Sequence, residues 1–364
     1  MTASRSARIP SLDGLRAVSI ALVLLDHASR RSGGDGGPYG IFAQGGLGVT
    51  VFFVISGFLI TGLLLRELDA TGRIALGRFY FRRTLRIFPA CYVYLGAMLV
   101  AAMIGLVQLA AANLVSAATY TSNYCFGCSD SGRWYLGHTW SLSVEEQFYL
   151  LWPLLLGLAG RRRGGWIAIA WLIACPLLRL ARFEATGVKE MLTRFELVSD
   201  SIATGCLLAL HLPRLHSAAW YLRFRDGAPL GLVLAVFLVA SLSVHPSVVP
   251  TALYLLVGPT VQNLLIAVVL DHLISRPSAS TGRLLNHPVL IWIGGLSYSL
   301  YLWQQPIIVA PRLTLPVAIA MCFIAAWGSA VLIERPVLRL RERIERTRGR
   351  PAPIGPPVVD TPTS

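Results

Sequence analysis

Apolar residues along this chain fall into blocks of membrane length, and polar residues gather between them. The first block, Ser11 to Arg31, is almost continuously aliphatic from Leu15 to Leu25. It carries Arg16 near one end and the pair Asp26-His27 near the other. Further blocks cover about 46–65, 90–107, Trp140 to just before Arg161, 166–180, 197–211, 229–244, 250–271, 289–309 and 314–333. A hydrocarbon core about 30 Å thick is crossed by roughly 20 apolar residues of helix. The pattern therefore predicts an all-α polytopic membrane protein of about ten transmembrane helices, with a basic loop at 66–86 between the second and third.

An even number of spans puts both termini on one side. Of the 32 Lys and Arg residues, 24 fall in the N-terminal segment, the loops on that same side and the tail from Arg335. The opposite loops hold the other eight, counting Arg179 at the end of the fifth block. The positive-inside rule makes both termini cytoplasmic and turns the longest polar connection, 108–139, outward. Arginines before the first block resemble a signal peptide. Asp26-His27, the missing small-residue cleavage site and the many later blocks predict an uncleaved first helix instead. The Pro-rich end is aperiodic and predicted to be disordered, so residues 1–345 are expected to form the membrane domain and 346–364 a cytoplasmic tail.

Composition agrees with this reading, since 55% of residues are hydrophobic and only 14% charged. The net charge of +14 raises nucleic acid as a partner. The basic residues sit in short clusters between apolar blocks, without interleaved aromatics, which excludes it. Cys91, Cys175, Cys206 and Cys322 lie in apolar blocks and read as small hydrophobes. Cys125 and Cys128 read as a loop disulfide on the oxidising side. A zinc site there lacks partners beyond His138, so no metal is expected. His211, His216, His245, His272 and His287 fall at span ends, as interfacial residues do.

Four stretches carry candidate chemistry. Ionisable groups at membrane depth mark a site or face a protein interior, and Arg16 and His27 lie ~16 Å apart along a helix. The run FYFRRTLRIFP presents Arg82, Arg83 and Arg86, which suit either a bidentate phosphate clamp or a positive-inside anchor. In HTWSLSVEEQFYLLWP, Ser143 and Glu146 fit an N-terminal capping box. Ser141, Glu145 and Tyr149 recur every four residues on one face, with Trp152 close by. GGLSYSLYLWQQP reads as a polar and aromatic helix start that packs through its small residues.

These stretches together resemble the type-3 membrane acyltransferase family over Leu12 to about Arg339. LDGLRAVSI with His27 matches its opening arginine–histidine motif, GLGVTVFFVISGFLITGLL its Ser-Gly-Phe signature, and FYFRRTLRIFPACY its arginine motif. HTWSLSVEEQFYLLWP matches the central motif, with Glu145 the more characteristic acid, and GGLSYSLYLWQQP and IERPVLR match the closing motifs. Many members place a histidine in the WQQP region, at the position of Gln305, where this chain has none.

The resemblance implies an acyl-CoA-dependent O-acyltransferase that binds its donor from the cytoplasm. Arg83 and Arg86 would hold the CoA phosphates, and Arg16 the pantetheine-pyrophosphate region or a carboxylate. His27 would be the general base, as imidazole titrates near pH ~6.5. Asp26 joins the catalytic set, yet neighbours on a helix diverge by ~100°, so Glu145 is the better orienter of His27. Arg82, Ser141 and Tyr149 complete the expected substrate-binding residues. There is no G-x-S-x-G and no Cys beside a His, which favours direct transfer without an acyl-enzyme.

The implied partners are acyl-CoA, above all acetyl-CoA, as co-substrate with no permanently bound cofactor; a small-molecule or glycan hydroxyl acceptor; and the lipid bilayer, in a bacterial cytoplasmic membrane. A secondary metabolite such as a macrolide is the alternative acceptor. The lack of an extracytoplasmic hydrolase-like domain weighs against a two-domain cell-wall enzyme, and short outward loops favour a compact acceptor. A proton-coupled transporter using Arg16, His27 and Glu145 as a relay is the reading from another class, and no inverted repeat accompanies it.

Overall fold

The computed structural model describes residues 9–31, 44–125, 128, 135–186, 193–242, 249–310 and 313–347. Among them there is no β-strand, and every one of the ten predicted blocks falls on a helix. The helices are α1 (Pro10–Arg31), α2 (Gly45–Thr71), α3 (Leu76–Met103), α4 (Ala111–Ala118) and α5 (Thr139–Thr186), with a 3₁₀ turn at Ser122–Tyr124 before α5. They continue as α6 (Phe195–Val198), α7 (Asp200–Ser217), α8 (Ala219–Gly227), α9 (Pro229–Leu242) and α10 (Thr251–Ser275). The last four are α11 (Ser280–Leu285), α12 (Pro288–Ile308), α13 (Leu315–Ser329) and α14 (Arg335–Thr347), with α13 and α14 joined by a π-turn. The Pro-rich end beyond Thr347 and His245 lie outside the described residues.

Among the described residues, five helices are long and apolar enough to cross a membrane: Gly45–Thr71, Leu76–Met103, Thr139–Ala185, Thr251–Ser275 and Leu315–Thr347. The third covers two predicted blocks because it breaks at Gly160, whose φ of 70° and ψ of 175° only glycine adopts at low cost. Helices α1, α7 and α12 are more polar and sit inside the bundle. Helix α1 packs between α2 and α12, and α2 packs along α7. The backbones of α2 and α7 meet at Gly57 and Gly205. A β-carbon on Gly57 would lie 1.9 Å from the Ile202 carbonyl oxygen, and one on Gly205 2.1 Å from that of Val54. Small residues permit such close approach where lipid offers no hydrophobic drive to associate.

Several sequence expectations are corrected. The basic 66–86 stretch is no loop: α2 runs on to Thr71 and α3 begins at Leu76. Phe79, Ile87, Cys91, Tyr94 and Met98 form one buried stripe that starts well before Ala90, so Arg82, Arg83 and Arg86 ride on the helix. Pro89 lies within it. The capping box is absent, because α5 starts four residues before Ser143. The Ser143 hydroxyl donates to the Thr139 carbonyl (3.0 Å) and accepts from the Ser122 amide (3.2 Å). GGLSYSLYLWQQP is the middle and end of α12, not its start, which His287 caps through the Val289 amide.

The polar residues outside the main site are also more deeply tied in than expected. Arg179, taken as an outward basic residue, is buried inside α5 against Asp200 of α7. His216 and His272 are not merely interfacial. His216 Nε2 lies 2.9 Å from Asp271, and His272 Nδ1 3.1 Å from Asp226. Tyr221 and Arg225 of α8 also bind Asp271, which is fully buried, so this network fastens α8 across the ends of α7 and α10. Cys125 and Cys128 are disulfide-bonded, and the other four cysteines are free and buried, as expected.

Candidate active site

Polar side chains of α1, α2, α3, α5 and α12 come together within the bundle. They form neighbouring groups of contacts, one cationic and one around two imidazoles.

In the cationic group, Arg83 stacks over the Tyr149 ring, its guanidinium carbon 4.7 Å from the centroid. The Tyr149 hydroxyl donates to Glu145 (3.3 Å), which also accepts from Ser56 of α2. Arg86, one turn beyond Arg82, lies within electrostatic reach of Arg83, Arg16, Tyr149 and Glu334. It keeps an exposed surface. Glu334, on the π-turn between α13 and α14, accepts from Ser299 of α12. Glu145, Glu146 and Glu334 thus stand among Arg16, Arg83 and Arg86, as burial of charge requires.

In the other group, the Ser141 hydroxyl lies one turn before Glu145 and 2.6 Å from the Tyr301 hydroxyl. Tyr301 donates to the His138 carbonyl (2.9 Å). The His138 ring sits edge-on between Tyr94 and Tyr301, with Trp303 edge-on to Tyr94. His27 of α1 reaches the same stretch of α12. Its Nδ1 is 2.6 Å from Oε1 of Gln304, which is fully buried.

The structure therefore gathers His27, Glu145, Arg16, Arg83, Arg86, Ser141 and Tyr149 around one interior. Two sequence candidates stand apart. Asp26 is the neighbour of His27 in sequence but accepts from Arg30 on its own helix (3.0 Å), not from the His27 ring. Arg82 is held by Glu345 of α14 (2.5 Å). Arg16 also pairs within its helix, with Asp13 at 3.4 Å. The partner of His27 is Gln304 rather than Glu145, which answers to Ser56, Tyr149 and Arg83. Ser56, His138, Ser299, Gln304 and Glu334 were not singled out as site residues from sequence. Each lies in a motif that was, so the signal was present without a spacing rule to select them.

Comparison with known proteins now adds to the geometry. The family described as "Acyltransferase domain" matches residues 9–334. The chain belongs to this acyltransferase family. The match takes in every residue of the polar interior, from Arg16 to Glu334. The chain is 30% identical over 325 residues to "Putative O-acetyltransferase SACOL0978" of Staphylococcus aureus (strain COL), covering 82% of this chain and 50% of that protein. It is 26% identical over 369 residues to "Peptidoglycan O-acetyltransferase OatA" of Listeria monocytogenes, covering 90% of this chain and 56% of that protein. The chain thus spans about half the length of the curated relatives it matches. No solved structure matches it.

Proposed function

We propose that this acyltransferase domain moves an acetyl group from acetyl-CoA to a hydroxyl of a carbohydrate or glycosylated acceptor within a bacterial cytoplasmic membrane. The observation that carries the reading is the placing of His27, in contact with Gln304, and of the Arg83–Arg86–Arg16 group on helices of one bundle. Acyl transfer from a CoA thioester needs both. Phosphate and pyrophosphate are held by guanidinium forks, and the acceptor hydroxyl loses its proton to a base within hydrogen-bond reach. With the termini cytoplasmic, as the basic residues argue, the arginine end faces the CoA pool and His27 lies deeper.

Each residue then has a task. Arg83 and Arg86 bind the CoA phosphates, while Tyr149 fixes Arg83 by stacking. Glu145 balances their charge and, with Ser56, keeps the passage polar. His27 takes the proton from the acceptor hydroxyl. Ser141, Tyr301 and the aromatic group around His138 shape the acceptor side. The acetyl group and a peptidoglycan-like acceptor are drawn from the relatives' names and are part of the proposal.

The test is transfer by purified protein in nanodiscs. Radiolabelled acetyl-CoA is offered with muramyl dipeptide, a chito-oligosaccharide and a macrolide. Label recovered in a sugar acceptor as a base-labile ester supports the reading, and label in the macrolide alone moves the acceptor to secondary metabolites. Wild-type protein that neither binds acetyl-CoA nor labels any acceptor contradicts it, and flux assays then test the transporter.

A further inference from the structure

We infer that Gln304 both fixes the tautomer of His27 and supplies the hydrogen bond that receives the thioester carbonyl oxygen in the transfer step. The inference rests on the acyl-transfer reading above. Gln304 is fully buried in the last turns of α12, with its Oε1 2.6 Å from His27 Nδ1. An amide oxygen accepts only, so Nδ1 carries the proton and Nε2 is left as the basic nitrogen. The other half of the same amide is unspent: Nε2 of Gln304 is buried without a partner. Buried donors are satisfied in folded proteins, and an orphan marks a function or an absent ligand. The indole Nε1 of the adjacent Trp303 is likewise buried and unpartnered. An orphaned amide N–H attached to the group that orients the base is well placed for an oxygen that gains charge only during reaction.

The step balances as follows. The acceptor O–H proton passes to His27 Nε2 as the oxygen bonds to the thioester carbonyl carbon. The carbonyl π pair moves onto its oxygen, which accepts from Gln304 Nε2–H. Collapse breaks the C–S bond, and the departing thiolate takes the proton from His27 Nε2, which leaves free CoA thiol, the acetyl ester and a neutral imidazole. Glutamine suits this double duty because it cannot ionise. A carboxylate there would keep the acceptor, lose the donor and hold imidazole in its charged form. The other charged or titratable groups around His27 are Asp26 and Arg30 on its own helix and His138.

The experiment uses the full chain in nanodiscs, with Gln304→Leu, the near-isosteric Gln304→Glu and Gln304→His. Three quantities are read: the ¹⁵N signals of His27 in histidine-labelled protein, assigned by difference from His27→Asn; the Kd of acetyl-CoA; and thiol release from acetyl-CoA with muramyl dipeptide across pH 5 to 9. The expected result is an Nδ1–H signal in wild type that is lost in Gln304→Leu. That variant should bind acetyl-CoA within threefold of wild type while kcat falls about 10²–10³-fold, as for loss of one oxyanion donor. Gln304→Glu should lose a similar factor, with the rising limb of its pH profile moved to higher pH. Gln304→His, which restores a donor and an acceptor, should recover at least about tenfold over Gln304→Leu. An Nε2–H tautomer in wild type, or a Gln304→Leu variant with kcat within threefold of wild type, overturns the inference. Wild type that fails to bind acetyl-CoA instead sinks the acyl-transfer reading and the donor role with it, while the ¹⁵N signals still decide the pairing.

Discussion

Asp200→Ala is predicted to be among the most destabilising single substitutions in this protein. Arg179 and Asp200 are 4% and 1% exposed at their side chains and meet through two bonds, Nη1 to Oδ1 at 3.0 Å and Nη2 to Oδ2 at 2.9 Å. The guanidinium also donates to the carbonyls of Leu197 (2.7 Å) and Leu255 (3.0 Å), so beyond its pair with Asp200 of α7 it ties α5 to α6 and α10. Removing Asp200 leaves those carbonyl contacts but strands the positive charge, since carbonyl dipoles do not neutralise it. Breaking a buried pair from one side costs about 3–5 kcal/mol, against roughly 0–1 kcal/mol for an exposed pair. Replacing both partners by apolar residues of similar volume removes the charge and is often close to neutral. Asp200→Ala should therefore unfold about 3–5 kcal/mol more easily than wild type in SDS titrations from mixed micelles. Arg179→Met/Asp200→Leu should recover most of that loss. A single-variant cost below about 1 kcal/mol, or a double variant as unstable as the single, would refute the placement of Arg179 inside the bundle.

Three further outcomes follow from the geometry. Arg83→Ala should weaken acetyl-CoA binding about 10- to 100-fold by calorimetry, the loss of one charge-assisted bond, whereas Arg82→Ala, whose partner is Glu345, should change it less than about threefold. Asp226, outside the spans, is held at about 2, below the 3.8 of a free carboxyl, chiefly by the hydrogen bond from Arg225. Its folded value being depressed, its contribution is complete above the unfolded value and lost as pH falls toward 2, so the melting difference between wild type and Asp226→Asn should close from pH 4 to pH 2. Gly57→Leu should separate α2 from α7 and lower stability by at least about 1–3 kcal/mol, measured by the same SDS titration.

Helix positions were legible because a membrane-length apolar block has few other uses, and each of the ten blocks falls on a helix. Boundaries were less legible. The start of α3 was hidden because Arg82, Arg83 and Arg86 lower the local hydropathy of a helix whose stripe of Phe79, Ile87 and Cys91 is already buried. The Ser143–Glu146 spacing mimicked a cap for a helix that begins at Thr139. Within the site, periodicity found the Ser141–Glu145–Tyr149 face, since residues four apart share a side. It missed the Gln304 partner of His27, because a contact between residues 277 positions apart is set by how α1 packs on α12. Arg179 was misread for the same reason: only tertiary packing supplies its partner, Asp200.

The central claim is that His27 works as the base of a transfer reaction whose donor sits on Arg83 and Arg86. The most direct measurement is acceptor-dependent CoA release by purified protein in nanodiscs, comparing wild type with His27→Ala at saturating acetyl-CoA. The account predicts that His27→Ala binds acetyl-CoA as wild type does while turnover falls by about 10²–10⁴-fold, the usual worth of a general base. His27→Ala that turns over within threefold of wild type would contradict it.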